Sequence, residues 1–436
     1  MIDLQAIEAI LVDETVKGMP GGLRPMPLGD IGRQGWNVLR EDLPLPLAVL
    51  KESALSHNGH WMRRFLAASR AQISPHGKTT MSPQLFNRQL DDGAFAITIG
   101  SVQQLQVARH YGFDRVLMAN QLVGRRAIRY VLDEIKRDPA FDFYSLVDSV
   151  ALVKRLAEAA GDAQLKRPLQ LIVEGGFRGG RTGCRQLNDA LGVAAAVKAS
   201  EPLLSLRGVG GYEGLLKGET PEETEKLVDD FLDYLTTIAV ACEHKNYFGP
   251  GTVMLTAGGS SFYDLVARRF AKAQVTRPFM VLTRSGCYLT HDSGEYATRF
   301  SELRKRSPEV DQLGPGLQAA LEVWAYVQSR PEADKVLLTA GKRDVSFDSR
   351  LPQPLKWFRP GAGATADDIA GLSSDHVVTG LNDQHCHLAV PRASPLQVGD
   401  MVALGISHPC TTFDKWQVLC VVNEGYDVVS AVRTFF

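Results

Sequence analysis

A histidine and a lysine two positions apart, directly after an apolar run, form the first arrangement in this 436-residue sequence that could do chemistry: Ile73-Ser-Pro-His-Gly-Lys78-Thr-Thr80. If the run is a strand of a parallel α/β barrel, Lys78 lies at its carboxyl end, where the active sites of such barrels sit. A partly desolvated amine beside His76 is a nucleophile suited to an aldehyde. The plain alternative is a solvated loop lysine.

Three further clusters stand out. Val173-Glu-Gly-Gly-Phe-Arg-Gly-Gly-Arg-Thr-Gly183 is dense in glycine, which lets backbone approach a ligand, and Arg178 or Arg181 can donate to an anionic oxygen. The G-x-x-x-x-G-K-[ST] order is absent, which disfavours a nucleoside triphosphate. Leu255-Thr-Ala-Gly-Gly-Ser-Ser261 runs from a strand into an amphipathic segment, Tyr263–Phe270. Gly258, Gly259 and Ser260 there read either as a phosphate site at a helix N-terminus or as plain caps. Thr283-Arg-Ser-Gly-Cys-Tyr288, with Gly286 and Cys287, could add backbone donors to the same phosphate. The last cluster pairs Asp383-Gln-His-Cys-His387 with Gly405-Ile-Ser-His-Pro-Cys410. On a strand, His408 and Cys410 share a face and can present imidazole and thiolate to one ion, with Zn²⁺ preferred for an N/S donor set. His385 and His387 share a face by the same rule. A buried thiol beside a hydrogen-bonded histidine is the competing reading.

Elements must exist to position these groups. From Leu43 to Arg284 short apolar runs alternate with helical periods, as expected of β-α units around a parallel sheet. Strand candidates are Pro46–Leu50, Ala71–Ser74, Ala94–Ile99, Arg115–Ala119, Phe143–Asp148, Leu169–Glu174, Leu203–Gly208, Thr252–Thr256 and Phe279–Thr283, one more than an eight-stranded barrel needs. Ser101-Val-Gln-Gln104 and Thr220-Pro-Glu-Glu223 read as helix starts. Beyond Arg284 the pattern turns to strands (Val336–Thr339, Val398–Ile406, Trp416–Val422) without matching helices. The expected architecture is a (β/α)8 TIM-like barrel over 43–290 plus a mostly β domain built from 1–42 together with 291–436.

Composition narrows the class. The chain is 44% hydrophobic and 22% charged, and 48 Lys+Arg balance 49 Asp+Glu to a net charge of −1, so no strong field selects nucleic acid or an anionic membrane. Six cysteines without a C-x-x-C fit a reducing compartment. No apolar stretch reaches the roughly 18 residues of a membrane span, and the N-terminus lacks the basic flank and apolar core of a signal peptide. A cytoplasmic enzyme is expected.

Pro46-Leu-Ala-Val-Leu, Asn58, Pro75-His-Gly-Lys78, Arg181-Thr-Gly183, Tyr212-Glu-Gly, Gly258-Gly-Ser260, Gly286-Cys-Tyr288 and His408-Pro-Cys410 follow one another as in fold-type III pyridoxal-phosphate enzymes. The chain resembles the branch of D-serine dehydratase, D-threo-3-hydroxyaspartate dehydratase and D-threonine aldolase, over about residues 43–290 and 376–415. The resemblance implies pyridoxal 5'-phosphate bound covalently by Lys78, with Arg181 near its phenolate oxygen and Tyr212 beside it. It also implies a phosphate cradle of Gly258, Gly259, Ser260, Gly286 and Cys287, and a divalent metal, zinc foremost, on His408 and Cys410 beside the substrate's β-hydroxyl. The implied reaction is loss of water and ammonia from a D-3-hydroxy amino acid such as D-serine or D-threonine, in a homodimer. An aldolase giving glycine and an aldehyde is the alternative, and Cys410 leans to the dehydratase because the aldolases more often carry Asp there. A metal-free racemase and a non-catalytic cofactor carrier are weaker readings. Two departures stand: the family's R-P-H-x-K-T-H-K becomes Ser74-Pro-His-Gly-Lys-Thr-Thr-Met81, without the second histidine, and the stretch 303–375 is longer than the family's pattern.

Overall fold

The computed structural model describes residues 2–259 and 261–436. Eight parallel strands form the barrel: β1 (Gln72–Ile73), β2 (Ile97–Ile99), β3 (Arg115–Gln121), β4 (Asp142–Val147), β5 (Leu169–Glu174), β6 (Leu204–Gly211), β7 (Val253–Ala257) and β8 (Phe279–Thr283). From β2 to β8 each pairs with the next in sequence, and β8 returns to β1 through Leu282↔Gln72 and Thr283↔Ile73. The seam between β1 and β2 is closed by Phe95 N–H on Ile73 O and Thr98 N–H on Pro75 O, both at 2.8 Å, and by a parallel bridge His76↔Thr98. Leu117, Tyr144, Leu146, Ile172, Met254 and Leu282 fill the interior, making a packed core rather than a pore.

The helix starts follow the local chemistry. Ser101 Oγ accepts from Gln104 N–H at 3.3 Å, and Thr220 Oγ1 accepts from Glu223 N–H at 3.2 Å with Pro221 in the first turn. The helix Glu52–Ser69 completes the outer ring against Tyr263–Phe270, where the Phe65 and Tyr263 rings meet edge-on at 4.9 Å.

One strand candidate lies outside the barrel. Pro46–Leu50 corresponds to Leu47–Lys51, which pairs antiparallel with Leu321–Glu332 and parallel with Val418–Val422 in the second domain's sheet. The barrel boundary expected at 43 therefore falls after residue 51. Its near-continuous apolar run, LAVLK, reads like a barrel strand because both are buried on two faces. The second domain is a large, mainly antiparallel sheet. Residues near the N-terminus pack on its last hairpin, with Val38 N–H on Tyr426 O and Val428 N–H on Trp36 O. Between the two domains lie helices that the sequence pattern missed, Glu295–Arg306 and Pro308–Asp311. Asn58 clasps the junction, donating to Leu289 O and Gln318 O and accepting from Gln318 N–H at 2.7 Å. Among the described residues, no helix is long and apolar enough to cross a membrane.

Candidate active site

A cavity of about 420 Å³ opens at the carboxyl ends of the barrel strands and faces the second domain. Its barrel wall is delivered strand by strand. After β1, Pro75 ends the ladder and Gly77–Thr79 form a tight 3-10 turn that presents Lys78 to the cavity. A Cβ on Gly77 would sit 2.7 Å from the Phe86 ring, so only glycine lets the turn pack this closely. Glu174 ends β5, where Gln121 Nε2 donates to its Oε2 at 2.5 Å. Tyr212 follows β6, with the Arg181 guanidinium 4.3 Å from its ring centroid. Arg284 follows β8 and is buried, donating to Thr256 Oγ1 at 2.7 Å and to Gly211 O at 2.6 Å.

The glycine turn after β7 is occupied from within. Glu213, fully buried, accepts from Gly258 N–H at 3.0 Å and from Gly259 N–H at 2.5 Å. Those two amides, expected in a phosphate cradle, are thus spent on a side chain; a Cβ on Gly258 would meet the Tyr212 ring at 2.3 Å, so this glycine serves packing. Gly286 and Cys287 differ. Among the described residues their amides find no acceptor, and a Cβ on Gly286 would lie 2.4 Å from His76 O. Ser260 lies outside the described residues.

The opposite wall comes from the second domain. His408 and Cys410 both line the cavity, although not from a strand: the strand ends at Gly405, and Cys410 opens a one-turn helix, Cys410–Phe413. A turn rather than the pleat brings imidazole and thiol together. Cys410 Sγ lies 3.7 Å from Cys287 Sγ and 3.4 Å from Thr79 Oγ1, joining the two walls. Asp348 Oδ2 is 2.6 Å from His408 Nδ1. His385 and His387 are elsewhere, with His387 Nε2 bonded to Asn382 Oδ1 at 2.7 Å. No grouping of three His, Cys, Asp or Glu suited to a metal exists among the described residues.

Charge follows the geometry. Burial, and then the positive charges of Lys78, Arg284 and Arg181, push the His76 pKa well below its ordinary value and keep the ring neutral. Its Nδ1 is buried without a partner. Burial raises the Glu213 carboxyl, opposed by the amide hydrogen bonds and by Arg284. Of the paired thiols, Cys410 is the one held low, by its hydrogen bond with Cys287 and its contact with His408. His408 is raised to about 9, first by Cys410 and then by Asp348.

Comparison with known proteins finds the same fold. Residues 320–422 match the family described as "Putative serine dehydratase domain". A D-threonine aldolase of Arthrobacter sp is 24% identical over 391 residues, covering 87% of this chain and 89% of that one. Of solved structures, D-threonine aldolase from Filomicrobium marinum superposes with a TM-score of 0.73 at 20% identity, covering 92% of this chain and 96% of that one. D-threo-3-hydroxyaspartate dehydratase from Delftia sp. gives 0.70 at 18% identity, covering 92% and 99%. The shared architecture is the alanine-racemase-like fold, a parallel barrel joined to a mainly β second domain.

Within this fold, Lys78, Arg181, Tyr212, Gly258, Gly286, Cys287, His408 and Cys410 share one cavity. Gly259 turns away to Glu213. Sequence reasoning missed Glu174, Arg284 and Tyr296, which line the cavity, and Glu213 and Asp348, which touch residues that do. Arg284 lay within a segment read only for its backbone, and Glu213 beside Tyr212 was quoted without a role. Asp348 carried no signal, because sixty positions separate it from the histidine it touches.

Proposed function

We propose that this protein is a pyridoxal-phosphate lyase that dehydrates D-3-hydroxy amino acids such as D-serine or D-threonine, assisted by a divalent metal, zinc foremost, and releases a keto acid and ammonia. The meeting of a lysine amine on one wall and an imidazole–thiol pair on the other, in a single cavity, carries this reading.

The residues present fit the cofactor. The lining offers cations for a dianion in Lys78, Arg181 and Arg284, two amides at Gly286 and Cys287, and an unpartnered Nδ1 on His76. Lys78 would hold the aldehyde carbon, Arg181 and Tyr212 the ring, and the 286–287 turn the phosphate. An N/S donor pair also fits zinc, which His408 and Cys410 would hold.

When bound, pyridoxal phosphate supplies an electron sink for charge left at the substrate's Cα. Zinc supplies Lewis-acid polarisation of the β-hydroxyl. The chain's own residues do the rest. Lys78 Nζ takes the Cα proton, and its neutral neighbour His76 adds no second positive charge beside the proton it receives. Arg181 and Arg284 balance negative charge within the barrel wall. His408 and Cys410 orient the hydroxyl on the opposite side, so the bonds to the proton and to hydroxide break from the two walls. Hydrolysis of the released enamine gives the keto acid and ammonia.

Aldol cleavage is the second reading, favoured by the D-threonine aldolases among the relatives. It needs a base at the hydroxyl proton, and buried Thr80 stands where the family's pattern has its second histidine. Assay of D-serine and D-threonine for keto acid plus ammonia against glycine plus aldehyde tests the proposal. Glycine and aldehyde alone would assign the aldolase, L-enantiomer alone a racemase, and no turnover with cofactor bound a carrier. The active species is proposed to be a homodimer in the cytoplasm, and an active monomer by mass measurement at assay concentration would refute the assembly.

A further inference from the structure

The segment from Asp344 to Arg350 is laced to the turn that bears His408 and Cys410. Ser346 N–H donates to Thr412 Oγ1 at 3.0 Å, and Ser346 Oγ accepts from His408 N–H at 3.2 Å. Trp416 Nε1–H donates to Asp344 O at 2.9 Å, and Ser407 Oγ–H donates to Arg350 O. At the centre is Asp348. Its Oδ2 lies 2.6 Å from His408 Nδ1, and its Oδ1 accepts from Thr411 Oγ1–H at 2.6 Å. Asp348 does not line the cavity, whereas His408 does.

An imidazole whose Nδ1–H is committed to a carboxylate has only Nε2 left to offer. We propose that Asp348 is the positioning residue that makes Nε2 the metal-binding nitrogen of His408, and that the 344–350 strap holds the pair in place; this rests on the metal reading above. Asp348 acts in two ways. Its hydrogen bond fixes the tautomer and the ring plane, and its charge makes Nε2 a better electron donor. Thr411 fixes the carboxylate in turn, so that the ring is oriented by a chain of contacts ending on its own turn.

The experiment is competition with a chromophoric zinc chelator, using the full-length protein loaded with pyridoxal phosphate. Asp348→Ala is expected to weaken zinc binding by about 10–100-fold. Asp348→Asn, whose amide oxygen still accepts from Nδ1–H but carries no charge, falls between it and the parent, and Thr411→Val loses least. Cofactor absorbance is unchanged in all three, because Lys78 stands on the barrel. Equal zinc affinity in Asp348→Ala and the parent overturns the proposal. A second readout needs no metal: nitrogen-15 spectra recorded at a pH above 9, where the His408 ring is neutral, show the Nδ1–H tautomer in the parent and a shift toward Nε2–H in Asp348→Ala. An unshifted tautomer overturns the proposal as well. A parent protein that takes up no zinc defeats the metal reading, and the tautomer comparison then decides whether Asp348 selects Nε2.

Discussion

The two walls of the cavity are built in opposite ways. On the barrel wall, Lys78, Glu174, Tyr212, Gly258 and Arg284 each stand at or within a few residues of the end of a strand, so their positions follow from short local turns on a closed sheet. On the other wall, His408 and Cys410 stand on a turn whose shape depends on hydrogen bonds to residues some sixty positions away. Covalent capture of a cofactor needs one amine in a fixed place. Activation of a hydroxyl needs two donors set against it from another body. The first demand suits a closed sheet, and the second suits donors presented across the cavity from a second domain.

Lys78→Ala is the sharpest way to break the barrel wall. Turnover should fall by about 10⁴-fold or more, since the proton carrier and the covalent anchor go together. Borohydride treatment followed by peptide mass mapping should find no pyridoxyl adduct in the variant; an adduct on another lysine would show that the anchor was misassigned. Cys410→Ala breaks the other wall. It should cost several kcal/mol of barrier lowering, on the order of 10²–10³-fold in ammonia release, while the pyridoxyl adduct on Lys78 still forms. Chelation of the parent protein should give the same division. Loss of the adduct along with turnover would mean that the walls are not independent.

The contrast also decides what sequence could reveal. Strand ends, glycines and the order Pro75-His-Gly-Lys78 are local, so the barrel strands were legible, and with them the placing of Lys78, Arg181 and Tyr212 in the cavity, whereas Glu174 and Arg284 were not. Leu47–Lys51 was misplaced because an apolar run buried on both faces carries no mark of which sheet it joins. His408 and Cys410 were found for a reason that does not hold: spacing of two was taken for a pleat, and a turn provides it instead. Glu213 exposes a different gap. Glycines that look free to bind an anion can be claimed by a buried carboxylate, and nothing short of the packing shows it.

Gly286→Ala sharpens this last point. A Cβ would press on His76 O at 2.4 Å and on Thr79 Oγ1 at 2.7 Å, at the turn whose amides remain open. Overpacking of this kind costs about 1–3 kcal/mol, and cofactor affinity should drop by roughly 10–100-fold. Gly259→Ala tests the neighbouring turn, where φ of +76° strains any side chain and the amide already serves Glu213. It should lower stability more than cofactor affinity, measured by urea unfolding of the cofactor-free protein and by cofactor titration. Equal losses of affinity at both turns would place the phosphate between them.

The smallest effect concerns the segment that follows the last barrel strand, where His291 and Asp292 are buried side by side. Burial lowers His291 to about 4 and raises Asp292 to about 6. The two oppose each other in pH dependence. A histidine depressed in the folded state loses stability as pH falls from about 6.5 through 4, because the unfolded chain binds the proton first. A carboxyl raised in the folded state does the reverse: the folded chain binds the proton first, so stability falls as pH rises from about 4 through 6. Asp292→Asn removes the second contribution, and its Oδ1 can still accept from the Gly294, Tyr296 and Ala297 amides that Asp292 caps. Urea unfolding at pH 5 and pH 7 should show the variant gaining about 1 kcal/mol more than the parent on going to the higher pH. Parallel pH profiles for the two proteins would mean that Asp292 titrates at its ordinary value, with solvent reaching its carboxyl.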